Sequence, residues 1–120
     1  MSVNTHHHFN YIELPAQNLA AMKAFYGKAF GWTFIDWGDT YVSIHGSGVE
    51  GGFDAAKDRN PSDQGVLVIL YSDDLDVSQN AVTAAGGTIS IAPYGFPGGR
   101  RFHFKDPSGN ELAIWTPAPE

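Results

Sequence analysis

Apolar residues recur along this chain in two rhythms. Leu19, Met22, Tyr26, Ala29 and Phe30 follow one another at three- and four-residue steps, which puts them on one stripe of a helix. Asn18 stands where an N-cap belongs and Gly31 where a helix stops. A weaker stripe of Leu75, Ala81, Val82 and Ala85 is opened by Asp74 and closed by Gly86-Gly87. Asn18 and Asp74 are 56 residues apart, and so are Gly31 and Gly87. Each predicted helix follows a strand-like run, 9–14 or 66–72, and precedes three more that end near Asp54 and Thr116. The spacing predicts one βαβββ unit stated twice.

The second rhythm has a period of two. Ile12 and Leu14, Val42 and Ile44, Val68 and Leu70, Phe102 and Phe104, and Leu112 and Ile114 form apolar pairs expected to lie against the helices. Their neighbours must face the other way. These are Tyr11 and Glu13, Tyr41, Ser43 and His45, Leu67, Ile69 and Tyr71, Arg101 and His103, and Glu111, Ala113 and Trp115. Aromatic walls with a few polar groups describe a small-molecule pocket better than a solvated sheet face, which would hold more Lys, Thr and Glu.

Length and charge narrow the class. A chain of 120 residues makes one domain, and neither half is long enough to hold a core alone. Module 1 is expected over about 9–55, a polar linker containing Asn60-Pro61 over about 56–65, and module 2 over about 66–117. Residues 93–99 read as a Gly/Pro-rich loop within the second half. With no cysteine, disulfides, thiolate metal sites and cysteine nucleophiles are excluded. A net charge of −6 repels nucleic acid and anionic membrane. No run approaches the ~18 apolar residues of a membrane span, and the first five residues lack the marks of a signal peptide. A cytoplasmic protein is expected.

The order Phe9-Asn10-Tyr11-Ile12-Glu13-Leu14-Pro15, Asn18-Leu19, Phe25-Tyr26, Phe30-Gly31-Trp32 and, much later, Asp106-Pro107-Ser108-Gly109-Asn110 resembles the vicinal oxygen chelate superfamily, which includes glyoxalases, bleomycin-resistance proteins and extradiol dioxygenases. The resemblance implies an α+β fold in which two βαβββ modules form a cup-shaped, barrel-like mixed sheet with a helix outside each module. It further implies a homodimer. The superfamily's metal enzymes place one donor near the start of each module and one in each module's last strand. Those places fall here on Tyr11, Leu67, the run 51–53 and Ala113. Leu67 and Ala113 have no donor atom and a neutral tyrosine is a poor ligand, so no metal or other cofactor is expected. Glu50 adjoins the run 51–53, but one step along a strand turns a side chain to the other face. A relocated divalent-metal site from Glu13, His45 and His103 is the less favoured reading.

The remaining chemistry is weighed residue by residue. Glu13, His45 and His103 are the acid/base candidates, although a hydrogen-bonded structural histidine is the commoner use of such a residue. Tyr11, Tyr41, Phe53, Leu67, Ile69, Tyr71, Arg101, Ala113 and Trp115 are the expected ligand contacts. Trp32 and Trp37 are expected to pack at strand ends, and His6-His7-His8 is read as solvated polarity. Asp106 to Asn110 is read as a turn. A metal-free binder of a small aromatic or amphipathic molecule is the primary expectation. A lyase, isomerase or dioxygenase-type enzyme, and a non-catalytic dimerisation or docking module, are the alternatives.

Overall fold

A computed structural model describes residues 4–56 and 59–119, so residues 57 and 58 of the linker and both chain ends lie outside the described residues. Module 1 comprises β1 (Tyr11–Pro15), α1 (Leu19–Phe30), β2 (Thr33–Asp36), β3 (Tyr41–His45) and β4 (Glu50–Asp54). Module 2 comprises β5 (Val68–Tyr71), α2 (Leu75–Ala84), β6 (Thr88–Phe96), β7 (Gly99–Lys105) and β8 (Glu111–Pro117). The strand orders β1-β4-β3-β2 and β5-β8-β7-β6 are the same arrangement repeated. In each, the first strand runs parallel to the last and the remaining pairs are antiparallel. The fold is α+β with two mixed four-stranded sheets, and the sheets do not close into a barrel. No helix among the described residues is long and apolar enough to cross a membrane.

The helices begin where the caps require and end slightly differently. Asn18 accepts from the Ala21 N–H at 3.0 Å, and Asp74 accepts from the N–H groups of Asp76 and Val77. Gly31 ends α1 in the left-handed conformation, φ 74°, a geometry glycine adopts without a Cβ clash. The expected stop of α2 at Gly87 is corrected: Ala85 caps it and Gly86 takes the left-handed turn at φ 97°.

Both modules contribute to one core. Met22, Phe25 and Tyr26 of α1 are buried with Val42, Ile44 and Phe53 of the first sheet, and with Leu75, Val82, Phe102, Phe104, Leu112 and Ile114 of the second module. Phe104 lies 5.9 Å from both Phe25 and Phe30, centroid to centroid, so the rings interlock across the module boundary. Trp32 stacks on Tyr26 at 4.9 Å and so joins this core, whereas Trp37 is exposed with its indole N–H on Ser43 Oγ.

Polar groups staple the modules where the core ends. The turn after β7 folds around Asp106, whose Oδ1 accepts from the N–H groups of Ser108, Gly109 and Asn110. Its Oδ2 accepts from Tyr26 Oη at 2.8 Å and Asn110 Nδ2 at 3.0 Å. Asn110 Nδ2 also donates to the Pro15 carbonyl, and Ser108 Oγ accepts from the Gln17 N–H. The sequence run read as a turn is therefore a turn, and it ties module 2 to the end of β1 and to α1. Burial pushes the Asp106 carboxyl up despite these bonds, and burial with the adjacent Asp106 pushes the Tyr26 phenol well above its ordinary range.

Candidate functional site

Alternation along the strands sends every second residue away from the helices, and register then sorts these residues into rows. In module 2 one row runs Tyr71, Trp115, Arg101, Tyr94 across β5, β8, β7 and β6. The next runs Ile69, Ala113, His103, Ile91. In module 1 the counterpart of the first row is Pro15, Asp54 and Tyr41, that of the second is Glu13, Gly52, Ser43 and Ile35, and Tyr11 with Glu50 lies one row beyond. Tyr11, Ile35, Trp37, Ile69, Tyr71 and Ile91 leave this side 42–62 % exposed, so the face opposite the helices is open in a single chain.

A four-residue chain crosses the module 2 face. Arg101 Nε donates to Tyr94 Oη, since a guanidinium has no acceptor. Tyr94 thus keeps its own proton for His103 Nε2 at 3.1 Å. That arrangement assigns the proton of the neutral imidazole to Nδ1, which faces Glu111 Oε2 at 3.3 Å. The same carboxylate oxygen accepts from Ser90 Oγ at 2.7 Å. His103 is buried beneath the Tyr94 ring, with centroids 5.9 Å apart. Beside this chain, Trp115 lies 5.8 Å from Tyr71 and 6.3 Å from Phe96.

Module 1 carries a different cluster. Tyr41 Oη donates to Glu13 Oε2 at 2.9 Å and lies 2.5 Å from Tyr11 Oη. Burial and then the bonds to Tyr11 and Glu13 hold the Tyr41 phenol well above the usual tyrosine range, so it stays protonated; its one proton goes to Glu13 and its oxygen accepts from Tyr11. A Cβ on Gly52 would collide with both hydroxyls, so the two tyrosines fill the space a side chain would occupy. His45 stands apart, with Nδ1 3.8 Å from Glu50 Oε2.

The expected site residues therefore divide. Glu13, Tyr11 and Tyr41 come together in module 1; His103 and Arg101 come together in module 2, next to the Tyr71–Trp115 ring pair. Phe53 is a correction: it is fully buried on the helix side, 5.3 Å from the Tyr26 ring and 5.7 Å from Phe34, because strand parity sends it inward. Ala113 is also corrected, being sealed between Ile69 and His103 as floor rather than contact. Leu67 is half-buried and precedes β5. Glu50 does share the open face, opposite Tyr11 and beside His45, so the expectation that it points away is overturned. Residues 93–99 are not a loop. Most belong to β6, which carries Pro93 on a sheet edge and whose register slips twice against β7, and this brings Tyr94 over His103. Tyr94 and Phe96 are thus the face residues that the sequence pattern missed.

Two cavities follow the seam between β1 and β5, and a third lies beside Trp32 and Tyr71. One cleft of about 380 Å³ is lined by Ile12, Leu14, Val68 and Leu112 with Glu13 and Glu111 among its polar residues. Ile69 lines a cavity of about 140 Å³, and Tyr71 one of about 310 Å³. Among the described residues, no three His, Asp or Glu side chains gather in a way that would hold a metal ion, and Glu13, His45 and His103 do not converge. Register now fixes the fourth donor place at Gly52, because Glu13 pairs with Gly52 as Ile69 pairs with Ala113. A neutral tyrosine, a glycine, a leucine and an alanine at the four donor places do not fit a divalent cation.

The model of the Glyoxalase/Bleomycin resistance protein/Dioxygenase superfamily matches residues 8–114. No curated protein matches the chain at a significant level. Among solved structures, a glyoxalase-related enzyme from Fulvimarina pelagi superposes with a TM-score of 0.77 at 20% identity, covering 92% of this chain and 88% of its own. A glyoxalase/bleomycin resistance protein/dioxygenase family enzyme from Burkholderia phytofirmans PsJN gives 0.77 at 23% identity, covering 90% and 97%. TnmS3, an antibiotic binding protein from Streptomyces sp. CB03234, gives 0.72 at 20% identity, covering 98% and 99%. The family model spans both modules, and the chain belongs to the glyoxalase/bleomycin resistance protein/dioxygenase superfamily.

Proposed function

We propose that this protein is a metal-free binder of a small aromatic or amphipathic molecule, held on the open sheet face and enclosed there by a second copy of the chain. The observation that carries the reading is the aromatic surface over module 2, where Tyr71, Trp115 and Phe96 lie in ring contact beside Arg101 and Tyr94. An exposed sheet face this rich in large apolar side chains is uncommon on a monomer, which supports a binding role. The structural likeness to an antibiotic binding protein supports the same direction. The donor places filled by Tyr11, Gly52, Leu67 and Ala113 support binding without metal.

The test has two readouts. Protein purified without a metal column is expected to hold far less than one equivalent of metal. Stoichiometric metal that survives a chelator would sink the metal-free reading. In a thermal-shift screen, flat amphipathic compounds are expected to raise the melting temperature of the wild type and to lose that effect in Trp115→Ala.

A second reading is an acid/base enzyme of the lyase or isomerase type. The Glu111–His103–Tyr94 chain supports it, since a carboxylate behind an imidazole orients a proton-accepting nitrogen toward a hydroxyl on the face. Substrate turnover that falls at least about a hundredfold in His103→Ala, with folding intact, would favour it over simple binding.

A further inference from the structure

We propose that Arg101 is the anion-recognition residue of the open face, taking the carboxylate of a flat aromatic or amphipathic acid whose body lies on Trp115, Tyr71 and Phe96. This rests on the reading that the face binds a small molecule, and it names the class of molecule.

Arg101 is held more firmly than a surface arginine requires. Its Nε is spent on Tyr94 Oη, Tyr94 is held by His103, and His103 faces Glu111, so residues from three strands fix the direction of one guanidinium. The group also lies 5.5 Å from the Tyr94 ring centroid and 5.6 Å from that of Phe96. With Nε engaged, the Nη edge is left as a planar fork, the geometry that meets a carboxylate through two parallel hydrogen bonds. A merely solvated arginine resting on a ring needs none of this scaffolding.

The charge around it points the same way. Among the described residues, the ion pairs engage Lys23 and Lys105 with aspartates, and none engages Arg101. Glu111, the acid on the module 2 part of the face, lies against His103 and accepts from Ser90. Arg100 points to the other side of the sheet by strand parity and adds nothing here. An oriented cation without a counter-ion, in a chain of net charge −6, is a local exception to the protein's field. That field also favours a monoanion over a dianion, which is why a carboxylate is preferred to a phosphate. Trp115 pairs directly with Arg101 across β7 and β8, placing an aromatic plane one strand from the fork.

Three probes test this by isothermal titration calorimetry: 2-naphthoate, the neutral isostere 2-naphthamide, and 2-naphthyl phosphate. The wild type is expected to bind the acid at least about tenfold more tightly than the amide. Arg101→Gln should erase that preference by weakening acid binding far more than amide binding, and Arg101→Lys should restore only part of it. Equal affinity for acid and amide in the wild type overturns the anion site while the small-molecule reading stands. Binding by neither at millimolar concentration overturns both. A preference that survives Arg101→Gln assigns the anion to another cation and overturns the role of Arg101. A phosphate bound about tenfold more tightly than the carboxylate overturns the choice of ligand class.

Discussion

Module 1 and module 2 have the same strand order, the same parallel first-to-last pairing and the same helix on the same side, yet their open faces share almost no chemistry. On module 1, Tyr11 and Tyr41 close over Gly52 and hydrogen-bond to each other, and Tyr41 donates to Glu13. On module 2, Ala113 occupies the place of Gly52, and a chain from Glu111 through His103 and Tyr94 to Arg101 passes beside it toward an aromatic row. The helix-facing positions of both modules must satisfy one packed core, so they are alike in character. The outward positions answer to no such constraint and have diverged. A duplicated backbone therefore does not imply a duplicated site: one module plugs its share of the face, while the other arms it.

The modules also differ in how they hold on to each other, and the largest expected effect tests that. Module 2 supplies Asp106, which accepts five hydrogen bonds, one of them from Tyr26 of module 1. Asp106→Ala should cost about 3 kcal/mol or more in urea denaturation, because it strands buried donors on both sides of the boundary. A cost under about 1 kcal/mol would show that the aromatic core alone joins the modules. The pH dependence has a definite sign. Burial raises the folded-state pKa of Asp106 above its ordinary value, so the folded protein takes up this proton more readily than the unfolded chain. Relative to the non-titrating Asp106→Asn, the wild type should be most favoured below the ordinary carboxylate pKa. That advantage should shrink as pH rises through the folded-state value, and a growth of the advantage with pH would contradict the burial argument.

Gly52 and Ala113 offer the next test, since they are counterparts in register. Gly52→Ala drives a methyl into Tyr41 Oη and Cζ and Tyr11 Oη, and should destabilise by about 1–3 kcal/mol. In a Tyr41→Ala background the same substitution should cost less than half as much, which double-mutant denaturation measures directly. If the two costs match, the tyrosines do not plug the site.

Much of this contrast was legible beforehand, and the part that was not has a physical reason. The 56-residue offset between Asn18 and Asp74 carries over to the helix starts, and the period-two pairs Val42/Ile44, Phe102/Phe104 and Leu112/Ile114 are core residues. Parity, however, needs an origin, and the run 51–53 offers three residues with no alternation to read, so the pattern alone puts Phe53 on the wrong face. Tyr94 was hidden for another reason. Gly and Pro mark loops in most settings, but β6 is an edge strand, where a missing N–H costs nothing and bulges re-aim the side chains. The way the modules pair leaves no periodic trace at all, because it depends on single hydrogen bonds such as Tyr26 to Asp106.

Two tyrosines probe the difference in burial between the clusters. Tyr94→Phe leaves His103 Nε2 without its partner in a covered position and should cost about 1–2 kcal/mol. Tyr41→Phe removes the bonds to Glu13 and Tyr11 in an exposed cluster, where water replaces them, and should cost less than about 1 kcal/mol. Denaturation curves give the ranking, and the imidazole resonances of His103 should move in the first variant alone. Equal costs would mean that module 2 is no more tightly built than module 1.

The smallest effects lie at the helix caps. Asn18 accepts one N–H bond, at 3.0 Å, whereas Asp74 accepts two, at 3.1 and 3.3 Å, and adds a negative charge at the positive end of α2. Either residue changed to alanine should cost on the order of 1 kcal/mol, with Asp74→Ala the larger. Salt separates the two. Asp74 is flanked by Asp73 and Asp76, so its charge is attracted by the helix end at hydrogen-bond distance and repelled by exposed carboxylates farther off. Screening weakens the longer-range term first. The cost of Asp74→Ala should therefore rise by a few tenths of a kcal/mol between low and high ionic strength, while that of the uncharged Asn18→Ala stays constant. A cost that falls with salt would show the dipole attraction outweighing the repulsion, and would make the cap of α2 an electrostatic device rather than a hydrogen-bonding one.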